Sequence, residues 1–258
     1  MSDKITYIES LVAFIDILGF RELITHVSDE AQGAVIIDGL RSVLLQAKTK
    51  LSSKWSWEVD ALDVRMFSDC IYISVPAKIE NCDAFFQLLE LVQSNFVRQR
   101  IVVRGAVAIG RHYSDNLLIF SEGLVRAYDI EQRIARFPRI LVPGEFWHYV
   151  VTHGYDEDII WFKESYVWND PEDGKAIIDY LNFMPYDRRN DPNHKGKDLA
   201  NHKAFILESV SKNASSPEVA GKYKWMARYH DSWCRSMYPQ HPELLIDPNP
   251  LSHYDTTS

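Results

Sequence analysis

The 258-residue sequence predicts an α+β fold, and three observations carry that expectation. A continuous apolar run, Leu11–Phe20 (LVAFIDILGF), reads as a buried strand that ends on a carboxylate and a glycine. Residues 58–66 and 69–75 read as two strands separated only by Phe67 and Ser68, which makes them a hairpin with Asp69 at its tip. Around these, apolar residues recur at helical spacing.

Taken in order, Phe20, Leu23 and Ile24 and then Ala34, Ile37, Leu40, Val43 and Leu44 predict two helices with a break near residues 28–33. Residues 50–57 form a polar connection to the hairpin, whose second strand alternates β-branched and aromatic residues through Ile71, Tyr72, Ile73 and Val75. Residues 81–98 return to helical spacing, with Phe85, Leu88, Leu89, Val92 and Phe96 on one side. A buried strand follows over 101–109, interrupted by Arg104 and Gly105, and an arginine there needs an acceptor. A short strand over 116–120 and a helix over 122–136 come next, the latter patterned by Leu124, Ala127, Tyr128, Glu131, Ile134 and Ala135. Phe137-Pro138 stops that helix, because the residue before proline avoids the helical region. Residues 139–142 give one more strand.

The first six elements match a ferredoxin-like split βαβ arrangement with an extra helix after the first strand. In that topology the first strand is central and lies beside the hairpin, so Asp16 and Asp69 come close together. Beyond Pro143 the character changes: a Trp- and acid-rich stretch, a candidate strand over 176–184, a polar loop over 187–197, and helices over 199–212 and 217–235. The second of these opens on Ser216 as cap with Pro217 in its first turn. The expected organisation is a domain over residues 1–143 and a mainly helical extension over 144–258 packed on it.

A net charge of −8 argues against a general binder of nucleic acid or membrane surface, since both need a basic face. Three dispersed cysteines, Cys70, Cys82 and Cys234, fit neither a disulfide framework nor a zinc site. The segment MSDKITYIES lacks the charged-then-apolar pattern of a signal peptide, and no apolar run approaches the roughly 20 residues that span a bilayer. The expectation is a soluble cytoplasmic protein.

Asp16 carries the functional question. An acid at the end of an apolar strand costs several kcal/mol unless something pairs with it. It either caps the following helix or holds a metal ion. With Asp69 at the adjacent strand end, the two acids and a free carbonyl, that of Ile17, form a hard-oxygen set for a pair of divalent cations that also touch a triphosphate. The amides of Leu18, Gly19 and Phe20 would then face phosphate oxygens. Scattered histidines (His112, His148, His153, His230) lack ligand spacing, and Trp225, Tyr229 and Trp233, spaced by fours, read as packing.

The motifs FIDILGF, FSDCIYIS, VRGAVAIG, AYDIE and PRI, in this order over about residues 10–142, resemble the class III nucleotidyl cyclases. Within these they look most like the bacterial Pycsar pyrimidine cyclases, which make cyclic UMP or cyclic CMP in defence against phage. The resemblance implies a class III catalytic domain in which Asp16 and Asp69, with the Ile17 carbonyl, hold two Mg²⁺ or Mn²⁺ ions. It also implies a homodimer with sites formed across the interface, a nucleoside triphosphate substrate, and a cyclic product read by a separate effector. In purine cyclases a lysine four residues before the hairpin acid chooses the base, and here that position is Arg65. Arginine has only donors and suits the O2 and O4 carbonyls of uracil, which favours UTP and 3′,5′-cyclic UMP; the alternative is an exposed strand arginine. One departure stands out. Purine cyclases carry Asn and Arg four apart on the helix after the short strand, where this chain has Arg126 and Ile130 or Ala127 and Glu131. Arg126, Arg133 or Arg104 would take over the cationic role, with Arg126 the first choice. The alternatives are a cytidylate cyclase, an inactive nucleotide-binding regulator of the same fold, and an interaction module in which both acids cap helices.

Overall fold

The computed structural model describes residues 6–54, 62–153, 164–186 and 197–247. The chain divides into two compact units, one of residues 1–169 and 175–183, the other of residues 170–174 and 184–258.

The first unit opens with β1 (Ile8–Ile17), α1 (Phe20–Thr25), α2 (Glu30–Lys54), the hairpin β2 (Asp63–Phe67) and β3 (Cys70–Pro76), and α3 (Ile79–Arg98). It continues through β4 (Val103–Ser114), β5 (Ile119–Ser121), α4 (Glu122–Ile134), β6 (Ile140–Leu141), α5 (Gly144–Thr152), β7 (Val167–Asn169) and β8 (Ala176–Ile178). The sheet order is β2-β3-β1-β4-β6-β8-β7, with β5 paired to β4 off this path. β1 runs antiparallel to both β3 and β4, so the first four strands have the ferredoxin-like order expected.

The central strand is buried on both faces because the two faces are covered by different helices. Leu11, Ala13, Ile15 and Ile17 point into the main core with Phe85, Leu88, Leu89, Val92 and Phe96 of α3. On the other face, Phe14 and Ala108 pack with Ala127 of α4, with Leu124 and Cys70 against them. Asp16 belongs to this second series by the two-residue alternation of a strand.

Several elements differ in extent from the sequence expectation. The break between the first two helices is shorter than expected, because Asp29 Oδ1 accepts the Gln32 amide at 2.8 Å and starts α2 one residue later, leaving Gly33 inside the helix. Helix α2 runs on to Lys54, through part of the expected polar connection; residues 55–61, where the first hairpin strand was expected to begin, lie outside the described residues. The expected boundary at residue 143 falls within the first unit. β6 leaves an unpaired edge, which β8 covers through Leu141 opposite Ile177 and the Val142 amide donating to the Ala176 carbonyl at 2.9 Å. Helix α5, unforeseen, adds Phe146 and Val150 to the same core.

Helix α6 (Tyr180–Tyr186) follows β8, and the second unit carries α7 (Lys197–Lys212), α8 (Pro217–Met237) and a 3₁₀ turn at Pro242–Leu244. Ser216 precedes α8 in extended conformation, but its side chain makes no capping bond. Trp225, Tyr229 and Trp233 are fully buried, with Trp225 and Tyr229 stacked at 5.6 Å, so the fourfold aromatic spacing is packing. The segment after the 3₁₀ turn is fastened by Asp231, whose carboxylate accepts the Ile246 and Asp247 amides at 2.7 and 2.9 Å. Beneath it lies a buried histidine pair, His202 and His230, with their Nδ1 atoms 2.9 Å apart. His230 Nε2 donates to the Leu244 carbonyl at 3.0 Å, which leaves its Nδ1 to accept from His202 Nδ1–H. Among the described residues no helix is long and apolar enough to cross a membrane.

Candidate active site

The C-terminal end of β1 places Asp16 opposite Cys70 on β3 and opposite Arg104 on β4. The hairpin tip is tied to it by the Ile17 amide, which donates to the Asp69 carbonyl at 2.9 Å. Ser68 makes the turn with φ of 54°, and Asp69 follows it into β3. As a result, ligand atoms of Asp16, Asp69 and Cys70 all lie within 4.8 Å of one another, each partly exposed. The two acids separated by more than fifty residues are thus brought together as the topology requires.

The donor chemistry fits a hard divalent cation. Two carboxylates offer the oxygen ligands that Mg²⁺ and Mn²⁺ take. The Cys70 thiol is pushed up to about 12, first by burial and then by the neighbouring Asp69, and its Sγ donates to Asp69 Oδ1 at 3.5 Å. Protonated at neutral pH, it does not supply the thiolate a softer metal prefers.

The helix-capping reading of Asp16 does not hold. Helix α1 is capped by Gly19, in the left-handed region at φ 76°, and no side chain makes a capping bond there. Gly19 is needed for that backbone conformation, and open space surrounds it. The Leu18 amide, expected to face phosphate, donates instead to the Val102 carbonyl at 3.0 Å, because the backbone is still paired toward the loop before β4. Gly19 and Phe20 are the residues of the turn whose amides take no backbone acceptor among the described residues.

Arg104 finds the acceptors its position demanded. Its Nε donates to Asp16 Oδ2 at 3.2 Å and forms a 2.5 Å ion pair with Glu131 Oε1 on α4. Glu131 is wholly buried. Burial raises its pKa, with the Arg104 charge opposing that shift, and Gln132 Nε2 donates to its Oε2 at 2.6 Å. Sequence reasoning placed Glu131 in the apolar stripe of its helix without assigning it a partner; a carboxylate among Leu124, Ala127 and Ala135 was the available signal.

The other three expected arginines make contacts elsewhere: Arg133 is exposed and pairs with Asp129 of its own helix at 4.0 Å. Arg65 lies on β2 opposite Tyr72, its Nε on Asp63 Oδ1 at 3.0 Å and its Nη1 on the Asp115 carbonyl at 2.6 Å. Burial works to raise the Asp63 pKa, yet hydrogen bonds from Ser114, Tyr72 and Arg65 outweigh it and hold the carboxyl below its ordinary value. Arg126 donates to the Ile109 carbonyl at 3.0 Å and to Glu122 Oε1 at 2.5 Å. Ile109 pairs with Leu11 whereas Arg104 pairs with Asp16. Five residues of strand at about 3.3 Å each put Arg126 roughly 17 Å along the sheet from the acids of its own chain.

No protein-family model matches the sequence, and no curated protein does. Among solved structures, the chain is similar over 57% of its length to a bacterial light-regulated adenylyl cyclase, at 14% identity and a TM-score of 0.39, covering 46% of that chain. It is similar over 57% of its length to a class III adenylyl cyclase-like ATP-binding protein from Pseudomonas aeruginosa, at 9% identity and a TM-score of 0.40, covering 36% of that chain. Over 66% of its length it is similar to the monomeric guanylyl cyclase domain of the RhoGC fusion protein from the aquatic fungus Blastocladiella emersonii, at 13% identity and a TM-score of 0.41, covering 94% of that domain. The chain thus spans less than half of the first two proteins.

Proposed function

We propose that the chain cyclises a nucleoside triphosphate to a 3′,5′-cyclic nucleotide and pyrophosphate. The observation that supports this most is the pairing of Asp16 with Asp69 at adjacent strand ends, with the Arg104 guanidinium beside them. Two carboxylates alone would repel a triphosphate; a cation between them and an arginine alongside make the same place attractive to one. Divalent metal held by Asp16, Asp69 and the Ile17 carbonyl would supply charge neutralisation and a more acidic ribose 3′-hydroxyl. In the reaction the 3′-oxygen forms a bond to the α-phosphorus and loses its proton to solvent. The bond from the α-phosphorus to the bridging oxygen breaks, and pyrophosphate leaves with that electron pair. Arg104 meets the growing negative charge on the leaving group, and the Gly19 and Phe20 amides border the same turn.

Arg126 serves such a site only from a second copy, given its distance from the acids of its own chain. An exposed apolar surface of Val125 (61%), Tyr128 (46%) and Phe120 (64%) on α4 and β5 supports self-association there. Arg65, with donors alone, favours uracil, and therefore UTP. By the resemblance to Pycsar enzymes, the product would act on a separate effector in phage defence.

Incubation of the protein with ATP, GTP, CTP and UTP in turn, with Mn²⁺, tests this reading by chromatography of the nucleotide products. Cyclic UMP is expected in excess over the others, and chelation of the metal is expected to stop its formation. Absence of a cyclic product from all four substrates would overturn the assignment.

A further inference from the structure

Glu131 is a charged side chain in a place where packing alone asks for an apolar one. It is wholly buried on the inner stripe of α4, near Ala127 and Ala135, which are also buried. A carboxylate in that position costs several kcal/mol unless a cation answers it. The answering group is Arg104 on β4, whose Nε lies 2.5 Å from Glu131 Oε1 as an ion pair; the Nε–H itself is donated to Asp16, and Glu131 Oε1 accepts no hydrogen bond. The same nitrogen reaches Asp16 at 3.2 Å. Neither Nη of Arg104 makes a hydrogen bond among the described residues, and the side chain is 25% exposed. A guanidinium held at Nε, partly exposed, and with terminal nitrogens that make no hydrogen bond among the described residues, is arranged beside two carboxylates for bidentate capture of an oxyanion.

We infer that Glu131 is a positioning residue of the nucleotide site, holding Arg104 so that its terminal nitrogens face the phosphate chain of the substrate. Among the described residues, Asp16 is the other acid paired with Arg104. Without Glu131 the guanidinium would close fully onto Asp16 and compete with a cation for that carboxylate. Glu131 therefore acts twice, keeping Asp16 available to metal and Arg104 available to phosphate. This rests on the nucleotide reading above.

The test uses the full chain and two ligands: Mn²⁺ alone, and inorganic tripolyphosphate in the presence of Mn²⁺, each titrated by calorimetry. Variants are Glu131→Gln, Arg104→Gln and the pair combined, with Glu131→Met as a volume-matched substitute should the glutamine variant fail to fold. Glu131→Gln is expected to weaken tripolyphosphate binding about tenfold, the scale on which groups behind a site act. It should also weaken Mn²⁺ alone, and removal of Arg104 in the double variant should restore Mn²⁺ binding while leaving tripolyphosphate binding no poorer than in Arg104→Gln. A residue that only supports the helix would give additive losses and no restoration. Additive losses, or wild-type binding by Glu131→Gln, overturn the inference even if cyclic nucleotide is formed. Coupled losses without any cyclic product would uphold it and overturn the cyclase reading instead.

Discussion

Two clusters of acids lie in the first unit, and they behave oppositely. At the end of β1, Arg104 pairs with Asp16 and Glu131, and Asp69 lies beside Asp16, whose side chain is 17% exposed. Where α3 meets the end of β8, Glu90 and Asp179 are both buried, and Asn182 is the hydrogen-bonding neighbour of Glu90. Burial, and then the charge of Asp179, push the Glu90 pKa well above its ordinary value, and its Oε1 has no hydrogen-bond partner. Glu90 answers its burial by keeping a proton. The lesson is that proximity of carboxylates does not make a cation site. An opening to solvent and a fixed positive group beside it do, and the first cluster has both.

The largest losses are expected at the first cluster. Asp16→Ala and Asp69→Ala are each expected to lower cyclic-product formation more than about 100-fold, since even groups behind a metal ligand are worth about 10–100-fold. Their melting temperatures should stay near that of the parent, and an active Asp16→Ala protein would refute the metal assignment. Next comes Gly105, adjacent to Arg104. A Cβ there would lie 2.4 Å from the Phe14 carbonyl oxygen and 3.2 Å from the Ile15 Cα, backbone atoms that cannot step aside. Gly105→Ala should cost about 3 kcal/mol by overpacking, a fall of roughly 6–12 °C in melting temperature for a chain of this size.

The second cluster offers a smaller effect with a defined sign. Because the folded-state pKa of Glu90 is raised, the folded state holds a proton that the unfolded chain releases above about 4.3. The stability this proton confers is complete at lower pH and is lost as pH rises toward the folded value. Glu90→Gln, which cannot ionise, should flatten the decline in melting temperature on the alkaline side; a decline as steep as the parent's would show that Glu90 is not its source. Smallest is Arg65→Lys. Exchanging one fork for a point charge removes about one hydrogen bond of roughly 1 kcal/mol, so the proposed preference for UTP over CTP should fall about fivefold. Competition between the two substrates in one tube measures it.

What was readable in the sequence had local period or local oddity. The β1 run, the hairpin and α3 announced themselves by alternation and by 3.6-residue spacing, and Asp16 and Asp69 stood out as acids ending apolar strands. Strands of two or three residues are too short to show a period: β6 and β8 fall inside the expected strands over 139–142 and 176–184, but the latter ends at Ile178 and gives way to helix from Tyr180, and β7 had no signal at all. The partner of Arg104 was also hidden, since Glu131 is 27 positions later and meets it only because α4 lies across β1 and β4. The Leu18 amide was misjudged because pairing with Val102 depends on where β4 starts relative to β1, a register that no single strand encodes.

The buried His202–His230 pair has a consequence at the other end of the chain. Burial, with His230 next to it, pushes His202 well below the ordinary histidine value, and burial lowers His230 as well despite the Leu244 carbonyl. Two rings sharing a single proton cannot both take another without breaking their contact. The unfolded chain binds protons that the folded pair refuses, so this unit loses stability as pH falls below about 6.5. Acid would thus be sensed first by the segment that His230 and Asp231 fasten, and the Ile246 and Asp247 amides should exchange with solvent sooner at pH 5.5 than at pH 7.5 after correction for intrinsic rates. In the first unit the same excursion leaves Glu90 with the proton it already holds.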